Sequence, residues 1–187
     1  MKIKGKGIVQ LGLHKQAEFV HYVGAKRKHY SKDAPIDTPD FYLGIDCDPA
    51  SIAYMIQEYG DISDANFLCS GIGEEGIKET VSWCAYKRPF LSKSVRLHDI
   101  FHQTQIDAIS LLAIDIEGGE FDALLLYDWS ILPDYLIVEA HSFNKPLNEA
   151  VTEIRSIVQK HGYKFIKGVS TNTNQKHPTM ELEFKYG

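Results

Sequence analysis

Cysteine is scarce in this 187-residue chain, and its three cysteines are too widely spaced to form a recognisable site. Cys47, Cys69 and Cys84 include no CxxC pair, so the sequence indicates neither a zinc knuckle nor a disulfide framework. Cys47 and Cys69 are expected to be small packing residues in or beside strands. Such cysteine usage is typical of a reducing compartment, so we expect a cytoplasmic protein.

Long apolar segments are also absent. The N-terminal residues 1–4 read MKIK and lack the apolar run of a signal peptide, and no stretch is long enough to span a membrane. We therefore expect no membrane partner. Apolar residues (44%) and charged residues (24%) occur in the proportions of an ordinary globular protein, and the length predicts one domain over residues 1–187.

An excess of positive charge is missing as well, because the formal net charge is -5. A nucleic-acid-binding face normally requires clustered lysine and arginine, so we expect no nucleic-acid partner. The densest basic run, residues 26–28, is interpreted as the last turn of a helix, where cations interact favourably with the helix dipole. The remaining partner class is a small molecule or a glycan, and a homo-oligomer stays open.

Two common cofactor and metal motifs are not found. The chain contains no GxGxxG, which argues against a nicotinamide-dependent oxidoreductase. Residues 98–102 read HDIFH and share the histidine spacing of the zinc-protease motif HExxH, but the central glutamate and a third ligand are missing. The sequence therefore predicts no zinc site.

The chain does contain a regular alternation of strand and helix patterns. Apolar runs predict strands at residues 7–11, 41–45, 65–69, 109–114, 135–138, 163–166 and 180–184, and a strand or a loop at 80–86. Helical spacing predicts helices around residues 19–23, 49–59 and 147–161, the second of them capped by Asp48. Residues 170–177 are too short for a crossover helix, so the last two strands should be antiparallel. The predicted fold is α/β, a doubly wound, Rossmann-like and mostly parallel seven-stranded sheet with a C-terminal antiparallel hairpin.

The most informative segment is residues 113–121, which read AIDIEGGEF. A buried strand ends there in two carboxylates, Asp115 and Glu117, and two glycines then lead into an amphipathic run that predicts a helix. In open α/β sheets, ligands bind outside the carboxyl ends of the strands. Carboxylates at that edge are costly unless a ligand or a partner uses them. Asp115 and Glu117 are therefore predicted site residues.

This segment resembles the KIDIEGAE signature of the FkbM-type methyltransferases, which use S-adenosylmethionine (SAM). Further pieces resemble family segments in the family's order, namely VRLHDI at residues 95–100, DYLIVE at 134–139 and HGY at 161–163. The resemblance covers roughly residues 40–168. It implies the layout of the class I SAM-dependent methyltransferases.

The resemblance also implies how the ribose and adenine of SAM are held. Residues 44–49 read GIDCDP and resemble the family's F-E-P-x-P, with Asp46, beside Cys47, in the place of the glutamate that accepts hydrogen bonds from ribose hydroxyls. The residues expected to lie along the adenine are Ser70, Gly71 and Ile72. Loss of Asp46 should weaken SAM binding by roughly 1.5–3 kcal/mol and barely change folding, because the residue ends a strand. As alternatives, Asp46 could be a turn residue and the glycines could only turn the chain.

The first loop departs from the family pattern. Family members usually have D-x-G-A-N-x-G after the first strand, whereas residues 10–16 read QLGLHKQ here. Gly12 matches the middle glycine and would admit the methionine end of SAM. Gln10 replaces the acidic residue, and Gln16 stands where the second glycine belongs unless that glycine is absent. Gln10 could still hydrogen-bond to the amino-acid end of SAM, although without a charge.

Four side chains are expected to meet at the carboxyl ends of two neighbouring strands. The predicted catalytic residues are Asp115, Glu117, Glu139 and His141, and Asp115 would also face the methyl group of SAM. Such a cluster could supply a general base for a hydroxyl. It could also hold Mg²⁺ or Ca²⁺ with Asp115 as a ligand. Alternatively, Glu117 and Glu139 could only cap helices or bind backbone amides.

The predicted function is a SAM-dependent methyltransferase that O-methylates a hydroxyl on a sugar or small metabolite. The main alternative is a non-catalytic nucleotide- or SAM-binding module, which the altered first loop favours. A nicotinamide-dependent oxidoreductase is the third class and lacks its motif. Fold alone does not decide among these classes.

Overall fold

A computed structural model of the chain describes residues 2–14, 17, 19–23, 39–81, 89–143, 145–172 and 178–187. The strands are β1 Lys6–Leu11, β2 Tyr42–Asp46, β3 Ala65–Cys69, β4 Gly71–Ile72, β5 Gly76–Val81, β6 Pro89–Val95, β7 Ala108–Ile114, β8 Tyr135–His141, β9 Tyr163–Asn172 and β10 Thr179–Tyr186. The helices are a 3-10 helix at Val20–Tyr22, α1 Pro49–Tyr59, α2 Leu97–Thr104, α3 Glu120–Leu125 and α4 Leu147–Lys160.

The main sheet has seven strands in the order β3-β2-β1-β7-β8-β10-β9. The first five of these strands pair in parallel, whereas β10 is antiparallel to both β8 and β9. The predicted fold class is confirmed, including the antiparallel C-terminal pair. The extent of a single domain over the whole chain stays a prediction.

Alternating side chains of the strands pack on the two faces of the sheet. In β1, Val9 and Leu11 join a core cluster with residues of α2 and α4, whereas Ile8 joins a second cluster with residues of α1. This period-2 alternation with apolar residues on both faces is what a sheet covered by helices on both sides requires. None of the described helices is long and apolar enough to cross a membrane.

The helix starts follow the local sequence signals. Asp48 accepts a hydrogen bond from the Ala50 backbone N–H at 2.8 Å, and Pro49 occupies the first helical position of α1, as predicted. The helix expected around residues 19–23 is only a single 3-10 turn in the described part. The basic run at 26–28, Gln16, Trp83 and Cys84 lie outside the described residues.

A second, three-stranded sheet with the order β4-β6-β5 was not predicted. Its strand β5 covers the start of the segment predicted as a strand or loop at residues 80–86. The sequence signal was weak because β4 has two residues and because the apolar residues Ile77 and Leu91 of β5 and β6 are exposed. Without a buried apolar face, the period-2 pattern that indicates a strand is lost.

Candidate active site

The site lies at the carboxyl ends of β1 and β7, two adjacent strands from which the sheet extends in opposite directions. The strand order runs from β1 outward to β2 on one side and from β7 outward to β8 on the other, which makes this the topological switch point of the sheet. Gly12 follows β1, and Asp115 follows β7. The Asp115 N–H donates to the Leu11 carbonyl at 2.9 Å, so the two strand ends are held side by side.

Gly12 is required by this close approach. Its φ is 80°, in the left-handed region, and a Cβ built at this position would lie 1.6 Å from the carbonyl oxygen of Asp115. No side chain fits there without moving the backbone of β7. Glycine is therefore required by the packing of the two strand ends, and the role of Gly12 toward the cofactor stays a prediction.

A cavity of about 560 Å³ runs along the carboxyl ends of the strands. That volume is within the usual range for small-molecule and cofactor sites. The predicted cofactor-binding residues that line it are Gly12, Asp46, Cys47, Ser70, Gly71, Ile72 and Asp115. The small sheet closes one side of the cavity with Lys78, Ser92 and Ser94, which the sequence did not suggest.

Gln10 does not line this cavity. Its side chain is buried, its Oε1 accepts a hydrogen bond from the Tyr42 hydroxyl at 2.8 Å, and its Nε2 donates to the Gly12 carbonyl at 3.5 Å. The geometry places Gln10 behind the first loop, where it supports Gly12 from within the core. Its predicted contact with the amino-acid end of SAM therefore has no support from the cavity lining.

Asp46 holds the first loop against β2. Its Oδ2 accepts from the backbone N–H of Leu13 at 2.9 Å and of His14 at 3.0 Å, and its Oδ1 accepts from the N–H of Asp48 at 2.8 Å. The residue is 7% exposed. The expectation that its loss would barely change folding does not fit these contacts, because three backbone donors depend on this one carboxylate. Its position at a strand end could not indicate those partners.

His141 and three carboxylates meet beside the cavity, as predicted. The His141 side chain is 4% exposed, and its Nε2 lies 3.4 Å from Glu117 Oε2 and 3.7 Å from Asp115 Oδ1. Glu139 shares a side-chain hydrogen bond with Asp115. Asp115 and Glu117 line the cavity itself, whereas Glu139 and His141 lie behind them.

Glu120 is a buried member of this cluster that the sequence interpretation missed. Its Oε1 lies 2.9 Å from His141 Nδ1 and accepts from the backbone N–H of Ile116 at 3.1 Å and of Gly118 at 2.9 Å. Glu120 therefore performs the backbone-amide role that was considered for Glu117. It is the last carboxylate of AIDIEGGEF, but no local pattern in the sequence indicates that it reaches His141.

Two residues at the cavity adopt backbone conformations that side chains rarely tolerate. His14 has a φ of 45° and Glu117 a φ of 55°, and His14 Nε2 lies 3.6 Å from Glu117 Oε1. Left-handed non-glycine residues are uncommon and concentrate at functional sites. Because both residues line the cavity and their side chains approach each other, the loops after β1 and β7 form one site.

The pKa values of two neighbouring carboxyl groups, Asp115 and Glu139, shift in opposite directions. Burial and the negative charge of Glu139 raise the pKa of Asp115 to about 8. Burial opposes ionisation of Glu139 too, but hydrogen bonds from Thr171 and Thr179 hold its pKa below the usual range. Hence Glu139 carries the charge and Asp115 the proton of this pair at neutral pH.

Burial alone would lower the pKa of His141. The hydrogen bond to Glu120 and the charge of Glu120 outweigh that effect, and the neighbouring Glu117 and Asp115 add to it. The pKa of His141 is thereby raised to about 9. His141 is therefore an imidazolium at neutral pH, and its ring lies beside the carboxyl groups of Glu120, Glu117 and Asp115.

We expect the protein to lose stability as the pH rises from about 6.5 to about 9. The folded state binds the His141 proton more tightly than the unfolded state, since the pKa rises from 6.5 to about 9. That contribution is complete below 6.5 and is lost as the pH passes through 9, and the raised pKa of Asp115 acts in the same direction. Melting temperatures of the wild type and of Glu120→Gln across this range measure the effect.

Glu120→Gln keeps an amide oxygen for the two backbone donors but removes the charge beside His141, so its melting temperature should depend less on pH. Glu149→Gln, at an exposed position in the first turn of α4, is the matched control. The loss at pH 6.5 should be about 1–3 kcal/mol, the contribution of a charged hydrogen bond. Equal pH dependence in all three proteins would contradict the raised pKa of His141.

A divalent cation at this cluster stays a prediction. Ligand atoms of Asp115, Glu117 and His141 lie within 4.8 Å of one another. The carboxylates suit Mg²⁺ or Ca²⁺, but a cation would first have to displace the proton of His141, so binding should release protons. If the metal is real, EDTA should lower the melting temperature, Mg²⁺ or Ca²⁺ should restore it, and Asp115→Asn should abolish the difference. A melting temperature that ignores both additions would contradict it.

Solved structures of methyltransferases share this architecture. Fibrillarin from Aeropyrum pernix, with natively bound S-adenosyl-L-methionine, has a TM-score of 0.60 and 9% identity, covering 97% of this chain and 67% of that chain. The methyltransferase domain of bacterial CtHen1-C has a TM-score of 0.56 and 9% identity, covering 97% and 90%. The N-methyltransferase NodS from Bradyrhizobium japonicum WM9 has a TM-score of 0.53 and 10% identity, covering 97% and 85%. At such identities, the likeness shows the fold alone.

Sequence comparison identifies the family. No curated protein matches the chain. The family described as the methyltransferase FkbM domain matches residues 4–165, which is most of the chain and includes the strands and loops that build the cavity. The chain therefore belongs to the FkbM methyltransferase domain family and is a SAM-dependent methyltransferase.

Proposed function

We propose that the protein transfers the methyl group of SAM to a hydroxyl of a sugar or other small molecule. The observation that carries this proposal is the cluster of Asp115, Glu117 and His141 at the rim of the cavity, next to Gly12. It offers a proton acceptor of raised pKa to a hydroxyl, which must lose its proton during the transfer.

The cavity lining supports one orientation of the cofactor. The methionine end would lie at Gly12, where no side chain obstructs the switch point, and the adenine at Ser70 to Ile72. Asp46 lies between these ends. Its carboxylate has roughly four acceptor sites, of which backbone donors occupy three, so one is left for a ribose hydroxyl. Asp46 would thus join the cofactor to the loop that it anchors.

The reaction then needs only alignment and one proton acceptor. The acceptor oxygen forms a bond to the methyl carbon as the carbon–sulfur bond breaks, which leaves S-adenosylhomocysteine (SAH). The hydroxyl proton passes to Asp115 in its ionised form. Two neighbours determine how readily Asp115 ionises. Glu139 shares a proton with it, and the imidazolium of His141 stabilises its negative charge.

Phe143 supports a small ring-shaped acceptor. Its ring is 42% exposed, lines the cavity, and stacks on the His141 ring with a centroid distance of 5.2 Å and an angle of 11°. An exposed aromatic face beside a carboxylate offers both apolar contact and hydrogen bonding to a hydroxylated ring. The net charge of -5 disfavours a nucleic-acid acceptor.

The test is methyl transfer from SAM carrying a labelled methyl group to a matched panel of sugars, phenols and amines. We expect label only in hydroxyl-bearing acceptors, with a rate that rises with pH as Asp115 ionises. Mass spectrometry of the product locates the methyl group on oxygen or nitrogen. Transfer to amines alone would overturn the assignment to hydroxyls.

A further inference from the structure

Two serine side chains of the small sheet line the cavity and have no hydrogen-bond partner among the described residues. Ser92 and Ser94 of β6 are 7% and 5% exposed, and both line the cavity. Within the part of the chain that the structure describes, neither hydroxyl makes a hydrogen bond. Neither oxygen is among the fully buried polar atoms without a partner, so both hydroxyls are open to the cavity. They are therefore available to hydrogen-bond to a ligand that enters it.

The geometry of the small sheet directs these hydroxyls inward. Lys78 of β5 lies opposite Ser92 and also lines the cavity, whereas Ile77 and Leu91 alternate with these residues and are exposed on the outer face. The residues of β5 and β6 that line the cavity, Lys78, Glu79, Ser92 and Ser94, are all polar. A sheet that packs on a hydrophobic core would instead place its apolar residues on the inner face and its polar residues outside.

The hydroxyls lie beside Gly71, in the segment expected to lie along the adenine. Gly71 pairs with Ser94 in the small sheet, and a Cβ built on Gly71 would lie 2.6 Å from Ser94 Oγ and 3.3 Å from Ser92 Oγ. The absence of a side chain at residue 71 leaves both hydroxyls accessible. Ile45 and Ile72 line the same cavity and can supply apolar contact to a flat ring.

We propose that Ser92 and Ser94 hydrogen-bond to the edge of the adenine base of SAM and thereby select adenine. This inference rests on the proposed placement of SAM in the cavity. A serine hydroxyl can donate one hydrogen bond and accept up to two. Adenine presents an amino donor beside a ring-nitrogen acceptor, so two adjacent hydroxyls match one edge of the base.

The experiment is a thermodynamic double-mutant cycle in which the side chain of each serine and the 6-amino group of adenine are removed singly and together. Calorimetry measures the affinity of the wild type, Ser92→Ala and Ser94→Ala for SAH and for an SAH analogue whose purine lacks that amino group. We expect each variant to bind SAH about 5- to 10-fold more weakly, and the wild type to bind the analogue more weakly by a similar factor. In one of the two variants, the penalty for the missing amino group should disappear.

Lys93→Ala is the matched control, because residue 93 lies between the two serines on the opposite face of β6. It should bind both ligands as the wild type does. Equal wild-type affinity for SAH and the analogue would overturn the inference without any variant. An amino-group penalty that is the same in the wild type and both variants would also overturn it, and in either case the methyltransferase proposal survives. A wild type that binds no SAH would remove both proposals.

Discussion

Asp115→Asn is expected to lower kcat by about 10²- to 10⁴-fold, the usual contribution of a general base. Asparagine has nearly the same shape as aspartate but cannot accept the hydroxyl proton. It should also leave the closure of the first loop intact, because the contact to Gly12 is made by the backbone carbonyl of residue 115. SAH affinity, measured by calorimetry, should therefore change little.

The pH profile separates this role from a structural one. In the wild type, kcat/KM should rise as Asp115 ionises with a pKa of about 8 and fall as His141 loses its proton with a pKa of about 9. In Asp115→Asn the rising limb should disappear. Asp107→Asn, at an exposed position immediately before β7, is the matched control. An unchanged profile in Asp115→Asn would assign the proton to Glu117, which Glu117→Gln then tests.

Asp46→Ala is expected to lower the free energy of unfolding by about 3–5 kcal/mol. It leaves the backbone donors of Leu13, His14 and Asp48 without their acceptor, and each unsatisfied buried group costs about 1–3 kcal/mol. Urea unfolding measures the change. Affinity for SAM should fall as well, because the loop that carries Gly12 loses its anchor.

Asp48→Ala is the comparison for this second variant. It removes the cap on α1, so the free energy of unfolding should fall by about 1 kcal/mol. Asp46→Asn keeps one acceptor oxygen and should fall between the two. If Asp46→Ala is no less stable than Asp48→Ala, the carboxylate does not hold the first loop.

Local sequence patterns were sufficient to predict those features whose signal lies within a few consecutive residues. The Asp48–Pro49 helix start, the apolar runs of β1, β2, β7 and β8, and the two carboxylates after β7 are all such signals. They predicted the sheet and the meeting of Asp115, Glu117, Glu139 and His141, because carboxyl ends of parallel strands share one edge.

Partners distant in sequence were not predictable in this way. Asp46 accepts hydrogen bonds from the backbone N–H groups of Leu13 and His14. Because nearly every residue carries such a group, the residue types do not indicate this contact. The cavity-lining residues of β5 and β6 are polar, so these strands lack the apolar alternation that marks β-structure. Glu120 was not predicted as a site residue, because only the tertiary structure brings its carboxylate to His141.

The sequence by itself determined the fold class, the family and which side chains could carry the chemistry, because hydrophobic period and motif order are local properties of the chain. Only the tertiary structure decided that β1 lies beside β7, which sets Gly12 against Asp115 and opens the cavity between them. It also decided the charge states, because the pKa values of Asp115 and His141 depend on burial and on neighbours from other strands and loops.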